Sequence, residues 1–173
     1  MFPARWEEYS SYGNVIENTN ILCFKTPLRP NVFMYISDDY VWTLNRLCEK
    51  EPSLGAIIDL STSNHYDGKN VKRAGLLYHK LHVPGRVIPN ETLVQEFIDT
   101  MEDFTKKCPG MLIGVHCTHG VNRTGYMVCK YLQLKLNISP EQAIAMFESA
   151  RGHKIDRQNY VENLLVTTRH RNL

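Results

Sequence analysis

The sequence predicts an α/β fold, with a mostly parallel central sheet flanked by helices, in a single domain formed by residues 1–173. Short apolar runs of strand-forming residues alternate along the chain with helical patterns. Hydrophobic residues make up 43% of the chain and charged residues 22%, which is typical of a globular domain. Neither an internal repeat nor a Pro/Gly/Ser-rich linker divides the sequence, and 173 residues are enough to enclose one core.

Four strands are expected from the apolar runs. They cover residues 20–24, 55–60, 75–83 and 111–116. Several of these runs are continuously apolar, as is typical of strands that helices cover on both faces.

Four helices are expected between and after the strands. They cover the stretch from Asn90 to Cys108, residues 124–136, the stretch opened by Ser139, and residues 157–167. Asn90 is a predicted N-cap for the first helix, in which apolar residues recur at spacings of three and four. Ser139 caps the third helix, where Pro140 occupies the first helical position and Gln142 completes a capping box.

Composition narrows the classes of function. The net charge of +2 excludes a bulk polycation, although a local basic face could still attract an anion. The N-terminal residues do not resemble a signal peptide, and no apolar run reaches the roughly 18 residues of a membrane span. Five scattered cysteines without a CxxC pair favour a reduced intracellular compartment. We expect a monomer without a membrane segment.

The candidate site is the stretch GVHCTHGVNRTGY at residues 114–126. The strand predicted over 111–116 leads into it, and a helix follows it. It therefore lies between the carboxyl end of a strand and the amino end of a helix, where α/β sheets bind anions through backbone N–H groups. Gly120 allows a turn with a positive φ and close approach of a ligand.

Cys117 and Arg123 open and close this loop. A thiol at a helix N-terminus beside an arginine is expected to have a lowered pKa and to be a nucleophile. Arg123 carries a planar charged fork that suits two phosphoryl oxygens. Thr124 offers a hydroxyl that could donate to the thiolate. Together these residue types point to covalent phosphoryl transfer.

Two other interpretations compete with this one. Cys117 could be a buried apolar side chain beside a solvated Arg123. Alternatively, His116, Cys117 and His119 could bind zinc, but structural zinc sites draw paired ligands from two places in the chain, and no second pair is evident. The spacing Cys-x5-Arg alone is a weak signal, whereas the strand–loop–helix context makes it specific.

The motif HCTHGVNRTGYM resembles the signature of the cysteine-dependent phosphatase superfamily, in particular its RNA 5′-triphosphatase branch, which includes baculovirus and capping-enzyme members. The likeness extends over essentially the whole chain and includes the stretches CFKTPLRP, GAIIDLS, KCPGML and ARGHKIDRQNY. This resemblance implies the cysteine-phosphatase fold. It also implies that the protein removes the γ-phosphate, and then the β-phosphate, from RNA 5′ ends.

This resemblance also implies roles for individual residues. Cys117 would carry the phosphoenzyme intermediate, and Thr118, His119, Gly120, Val121, Asn122 and Arg123 would surround the phosphate. The partner would be a triphosphate RNA end, with no cofactor and no metal. If the protein is viral, it would work in the nucleus or cytoplasm of the infected host cell and could enter the virion.

The sequence departs from the tyrosine phosphatases in one respect. They bring an aspartate on a mobile loop to the leaving group, whereas the matching stretch here, HVPGRVIPN (82–90), has no carboxylate, although it contains His82. A diphosphate leaving group, with a pKa of about 6, needs a proton far less than a phenol with a pKa of about 10. This chemistry favours a phosphoanhydride substrate.

Other residues are candidates for supporting roles. Asp59 could act as a weak acid, orient the loop arginine or only bond backbone amides, and His116 is expected to shape the loop. Arg157 is the preferred candidate among the basic residues that could hold further phosphates; the others are Lys25, Arg29, Lys72, Arg73, Arg86 and Lys154. Tyr66 and Tyr78 could stack on a base or belong to the core.

Three functions stay open at this stage. The leading hypothesis is an RNA 5′-triphosphatase. The alternatives are a dual-specificity or tyrosine protein phosphatase and a catalytically idle module that binds phosphorylated ends. The presence of both Cys117 and Arg123 argues against the idle module, which would not need a nucleophile.

Overall fold

The protein, described here from a computed structural model over residues 1–169, contains a five-stranded sheet flanked by helices on both faces. The strands are β1 (Tyr12–Val15), β2 (Ile21–Phe24), β3 (Leu54–Asp59), β4 (Leu77–Lys80) and β5 (Leu112–His116), in the order β1-β2-β5-β3-β4. All neighbours are parallel except β1 and β2. The predicted α/β class is confirmed; residues 170–173 of the predicted domain lie outside the described residues.

Six α-helices accompany the sheet in this part of the chain. They are α1 (Leu44–Lys50), α2 (Gly68–Arg73), α3 (Glu91–Lys107), α4 (Asn122–Leu136), α5 (Pro140–Arg151) and α6 (Gln158–Arg169), with short 3-10 helices at Trp6–Glu8, Pro30–Phe33 and Asp38–Tyr40. None of the helices described is long and apolar enough to cross a membrane.

Two apolar clusters cover the two faces of the sheet. Helices α3 to α6 enclose the larger one, which includes Phe97, Met127 and Phe147. The N-terminal segment, α1 and α2 enclose the smaller one, around Trp6 and Trp42. Side chains on both faces of β5 are therefore buried, as expected for a central parallel strand.

The predicted N-caps at Asn90 and Ser139 are present, whereas the bond from the Gln142 side chain back to the Ser139 N–H that would complete the capping box is not found within residues 1–169. The side chain of Asn90 accepts a hydrogen bond from the backbone N–H of Leu93, and Ser139 accepts one from Gln142. Both contacts satisfy N–H groups that the first helical turn leaves without a partner.

The ends of the strands bring the candidate residues together. In the register of the sheet, His116 at the end of β5 pairs with Phe24 of β2 on one side and with Asp59 of β3 on the other. The loop that follows His116 therefore begins at the carboxyl edge of the sheet, between two strand ends.

Candidate active site

The loop from Cys117 to Val121 connects β5 to α4, and its shape depends on Gly120. This residue has a φ of 72°, and a Cβ atom added to it would lie 2.1 Å from the carbonyl oxygen of Phe24. The loop can follow the end of β2 this closely only with glycine here. The amide of Thr26 donates to the carbonyl of Thr118 and adds a second contact to the same stretch of chain.

Cys117 lies at the base of this loop with only 2% of its surface exposed. Burial alone would raise its pKa. The charge of Arg123, the hydroxyl of Thr124 and the backbone amides of Thr124 and Gly120 outweigh burial, so the pKa of Cys117 is lowered. The Thr124 hydroxyl donates to the sulfur over 3.2 Å. Cys117 is thus a buried thiol in surroundings that favour its thiolate.

Arg123 reaches over the loop from the first turn of α4. Its guanidinium donates to the carbonyl of Val83 at 3.1 Å and to the hydroxyl of Thr118 at 3.1 Å. A guanidinium has five N–H groups, so these two bonds leave three for a ligand. The contact with Val83 also ties the segment 82–90 to the site.

Arg151, at the end of α5, supports the loop from behind and was not predicted from the sequence. Only 1% of its surface is exposed. It donates to the carbonyls of Gly120 and His119 at 3.0 Å each, and to the hydroxyl and carbonyl of Ser10 at 2.8 and 2.7 Å. Arg151 thus holds two carbonyls of the loop, while the amides of Gly120 and Thr124 bond the Cys117 sulfur.

The signal for Arg151 was present in the helical pattern. Ala143, Phe147 and Arg151 lie at intervals of four residues, and all three are buried on one face of α5. A charge at a core position must be paired or fully hydrogen-bonded. An arginine on an apolar stripe is therefore an indication of a structural or functional contact.

The N-terminal segment packs against the loop on the same side. His119 bonds through Nε2 to the carbonyl of Ala4 at 2.7 Å, which requires that this nitrogen carries the proton, and its ring stacks on Tyr9. The side chain of His119 therefore contacts the N-terminal segment, and its Nε2 does not face the interior of the loop. Its predicted contact with phosphate would have to come from the backbone.

Asn122 connects the loop to the segment before α6. Its side-chain oxygen accepts from the backbone N–H groups of Asp156 and Arg157 at 2.8 and 3.0 Å. Arg157 is half-buried, and its backbone contact places it near the start of α4; its role in holding further phosphates stays a prediction. Val121, also predicted to surround phosphate, is buried and precedes the first residue of α4.

His116 is fully buried and directly precedes Cys117 in the chain. Its Nδ1 lies 2.8 Å from the carbonyl oxygen of Cys117, and its Nε2 lies 2.7 Å from the hydroxyl of Tyr66. Since a carbonyl only accepts, Nδ1 carries the proton, and the neutral Nε2 accepts from Tyr66. Burial lowers the pKa of His116, in keeping with this neutral form and with a role in shaping the loop.

The carboxylate of Asp59 accepts hydrogen bonds from three side chains. Its carboxylate accepts from the hydroxyl of Ser61 at 2.7 Å, from Tyr78 at 3.0 Å and from the ammonium of Lys80 at 3.1 Å. Although burial raises its pKa, His116, Ser61 and Lys80 together lower it. A carboxyl group in this state is a poor proton donor, so the arrangement favours the structural role among those considered for Asp59.

The side chains of two other candidates, Lys25 and Tyr78, make contacts within the fold. Lys25 is buried: its ammonium donates to the carbonyls of Trp6 and Tyr9 and lies 3.5 Å from the centre of the Trp6 ring. It therefore does not hold a substrate phosphate, contrary to the sequence expectation. Tyr78 bonds Asp59 through its hydroxyl and its ring packs against that of Tyr66 and the smaller apolar cluster, which is the core role considered for it.

The remaining basic candidates are exposed: Arg29, Lys72, Arg73, Arg86 and Lys154. The zinc alternative has no support, because no group of three or more potential metal ligands occurs within residues 1–169.

Comparison with known proteins shows which families this chain is similar to. The family model of the dual specificity phosphatase catalytic domain matches residues 35–170. A tyrosine-protein phosphatase of Autographa californica nuclear polyhedrosis virus is 61% identical, over 96% of this chain and all of the viral protein. An RNA/RNP complex-1-interacting phosphatase of Mus musculus is 36% identical over 94% of this chain, which spans 52% of the mouse protein. A crystal structure of PTPMT1 aligns with a TM-score of 0.66 at 22% identity, over 93% of this chain and 96% of that one.

Proposed function

Since the chain belongs to the dual specificity phosphatase family and is a cysteine-dependent phosphatase, we propose that its substrate is the 5′-triphosphate end of RNA. The observation that carries the proposal is that neither the segment 82–90 nor Asp59 offers a carboxylic acid suited to protonate a leaving group. The segment 82–90, which Arg123 holds at the site through Val83, contains neither Asp nor Glu. Asp59 has a lowered pKa and is occupied by Ser61, Tyr78 and Lys80.

The leaving group of a triphosphate needs little help. The Cys117 thiolate attacks the γ-phosphorus, a sulfur–phosphorus bond forms, and the bond to the β-phosphate oxygen breaks with its electron pair on the diphosphate end. Water then attacks the phosphocysteine, which releases inorganic phosphate and restores the thiolate. The diphosphate leaving group has a pKa of about 6, whereas the phenol of phosphotyrosine has a pKa of about 10 and needs protonation.

The side chains present fit both steps. Arg123 has N–H groups left for two phosphoryl oxygens, and the amides of Gly120 and Thr124 bond the Cys117 sulfur. The Thr124 hydroxyl stabilises the thiolate when it becomes the leaving group in the second step. The diphosphate end formed first has the same chemistry, so we expect the β-phosphate to be removed as well.

The mouse relative supports an RNA substrate through its name, which associates that protein with an RNA/RNP complex. The name of the viral relative favours a second candidate function, hydrolysis of phosphotyrosine in proteins. The two functions differ in the leaving group: the phenol of phosphotyrosine must be protonated, whereas the diphosphate needs little protonation.

The deciding experiment compares these substrates on one enzyme preparation. Phosphate release is measured from RNA labelled at the γ or β position and from a phosphotyrosine peptide, with Cys117→Ser as the inactive control. We expect kcat/KM for triphosphate RNA to exceed that for the peptide by several orders of magnitude, each factor of ten being about 1.4 kcal/mol of transition-state stabilisation. Comparable values would make the protein-phosphatase function the better assignment.

A further inference from the structure

A cavity of about 830 Å³ opens beside the catalytic edge of the sheet, on the face covered by α1 and α2. Three parts of the chain line it: the segment after β2, the start of α1, and the region from Tyr66 through α2. This volume is in the range of pockets that bind small ligands or cofactors. None of the hydrogen bonds described for the catalytic loop (residues 117–121) is made with a residue that lines this cavity.

The lining combines an apolar floor with amide groups. Leu28, Leu44 and Ala74 provide apolar surface, and Asn31 and Asn45 present side-chain amides that make no hydrogen bond within residues 1–169. An amide offers both a donor and an acceptor, the combination that reads the edge of a nucleobase.

The charges at the rim favour an anionic chain. Arg29 and Arg73 both line the cavity and are exposed, and each uses one described hydrogen bond, to the carbonyl of Asn64 and to the side chain of Asn70. The acidic residue of the lining, Asp67, caps α2 by accepting from the amide of Lys69. Arginines with free N–H groups suit backbone phosphates.

One side chain links the cavity to the catalytic loop. Tyr66 forms part of the cavity wall, and its hydroxyl lies 2.7 Å from Nε2 of His116, the residue before the nucleophile. The cavity and the loop therefore share the carboxyl edge of the sheet. A triphosphate held by Cys117 through its last phosphate has its nucleoside end outside the loop.

We propose that this cavity binds the first nucleotides of the RNA whose 5′ phosphates occupy the catalytic loop, with a base against the apolar floor and within reach of the Asn31 and Asn45 amides, and with the backbone phosphates at Arg29 and Arg73. This inference rests on the proposed function, because it assigns the RNA portion of the same substrate. It gives the protein a means of binding RNA that does not depend on the phosphorylated end.

Variants of the lining test the proposal without altering the catalytic loop. Arg73→Glu and Asn45→Leu change the cavity, whereas Lys106→Glu makes the same charge change as Arg73→Glu at an exposed position of α3. Each variant is combined with Cys117→Ser for fluorescence anisotropy with a fluorescent RNA oligomer that carries either a 5′-triphosphate or a 5′-hydroxyl. In the active enzyme, each is assayed on triphosphate RNA and on p-nitrophenyl phosphate.

We expect both lining variants to weaken binding of either RNA at least five-fold and to raise KM for triphosphate RNA, while Lys106→Glu and the rate on p-nitrophenyl phosphate stay unchanged. Affinities within two-fold of the parent would overturn the cavity proposal, even if triphosphate RNA is hydrolysed rapidly. Lining-dependent affinity for a phosphotyrosine peptide, with RNA unaffected, would also overturn it. Lining-dependent binding of 5′-hydroxyl RNA without triphosphatase activity would support the cavity and refute the proposed function.

Discussion

The surroundings of Cys117 distinguish it from the other buried thiols. Burial raises the pKa of Cys23 to about 12, and it also raises the pKa of Cys129. Cys117 is as deeply buried, but the Arg123 charge and the hydrogen bonds from Thr124 reverse the effect. A thiol-directed reagent should therefore discriminate strongly among these three residues.

At this residue, Cys117→Ser is expected to lower kcat at least a hundred-fold while phosphate binding persists. A serine hydroxyl stays protonated under conditions in which the thiol ionises. Phosphate release from triphosphate RNA and binding of inorganic phosphate are the two measurements. More than a few per cent of residual activity would refute the covalent mechanism.

Arg123→Lys should likewise lose most activity, because a single ammonium cannot make two parallel bonds to a phosphoryl group. Steady-state kinetics on triphosphate RNA test this, and circular dichroism monitors the fold. Substitution of the exposed Lys154 by Arg is a suitable control, since it alters neither charge nor loop. Near-normal kinetics in Arg123→Lys would mean that the guanidinium fork is not required.

Thr124→Val should shift the pH dependence of Cys117 upward. The hydroxyl lowers the thiol pKa, so its loss raises that pKa and decreases the thiolate fraction on the acidic side. The rate of iodoacetate alkylation, followed from about pH 4 to about pH 9, reports the midpoint. Thr124→Ser keeps the hydroxyl and should retain the parent profile; identical profiles for Val and Ser would show that the hydrogen bond is unimportant.

Among the elements, α5 has a role beyond packing because it ends in Arg151. This helix places one guanidinium between the N-terminal segment and the catalytic loop, with bonds to Ser10, His119 and Gly120. The position of the loop is therefore set by a helix that is remote in sequence. Such support holds the amides ready before the substrate arrives.

Arg151→Met is expected to destabilise the protein by roughly 3 kcal/mol, because it leaves buried carbonyl groups without a donor. Misplacement of the loop should also lower kcat by roughly a hundred-fold. Urea unfolding and kinetics measure the two effects. Arg151→Lys keeps the charge and should recover part of the stability but little of kcat; full recovery would show that charge alone is sufficient.

Elements with a strong periodic pattern were predicted correctly, and those that depend on neighbours were not. The helix α3 has an apolar face of five buried residues and a cap at Asn90, so its sequence alone identifies it. In contrast, α1 and α2 have only seven and six residues, and packing of Leu47 and Val71 stabilises them. β1 contains Gly13 and Asn14, which are poor strand formers, and it depends on its pairing with β2.

Boundaries show the same dependence on context. The strand predicted over 75–83 is regular only over Leu77–Lys80, because its partner β3 ends at Asp59. Similarly, α4 begins at Asn122 instead of Thr124, since the amide of Gly125 already bonds the carbonyl of Val121. The earlier start includes Arg123 in the first turn of α4.

For the molecule as a whole, catalysis is expected to be independent of divalent ions. Arg123 and the loop amides provide positive potential where a metal would otherwise be needed. Hydrolysis of triphosphate RNA should be unchanged in excess EDTA, and a thiol alkylator should abolish it. Loss of activity in EDTA with recovery on addition of Mg²⁺ or Mn²⁺ would require a different apparatus.

At the same scale, the sequence predicted that Cys117 and Arg123 lie on one loop between a strand and a helix, because these residues are close together in the chain. It could not reveal Ser10 or Arg151 as a pair, since 141 residues separate them. The sequence also could not reveal that Lys25 is buried. The ring of Trp6 and the two carbonyls that accept hydrogen bonds from the Lys25 ammonium belong to the distant N-terminal segment. Contacts between remote segments require the folded chain.

The position of β2 has a practical consequence for the design of protein fragments. The family match starts at residue 35, after β1 and β2, yet β2 is a direct neighbour of β5 in the sheet. A fragment cut at that boundary would leave one edge of β5 with unpaired N–H and C=O groups, the kind of edge that recruits strands from other molecules. We expect such a fragment to be recovered as aggregates, whereas one that starts at residue 1 and ends at residue 169 should elute as a discrete species in size-exclusion chromatography.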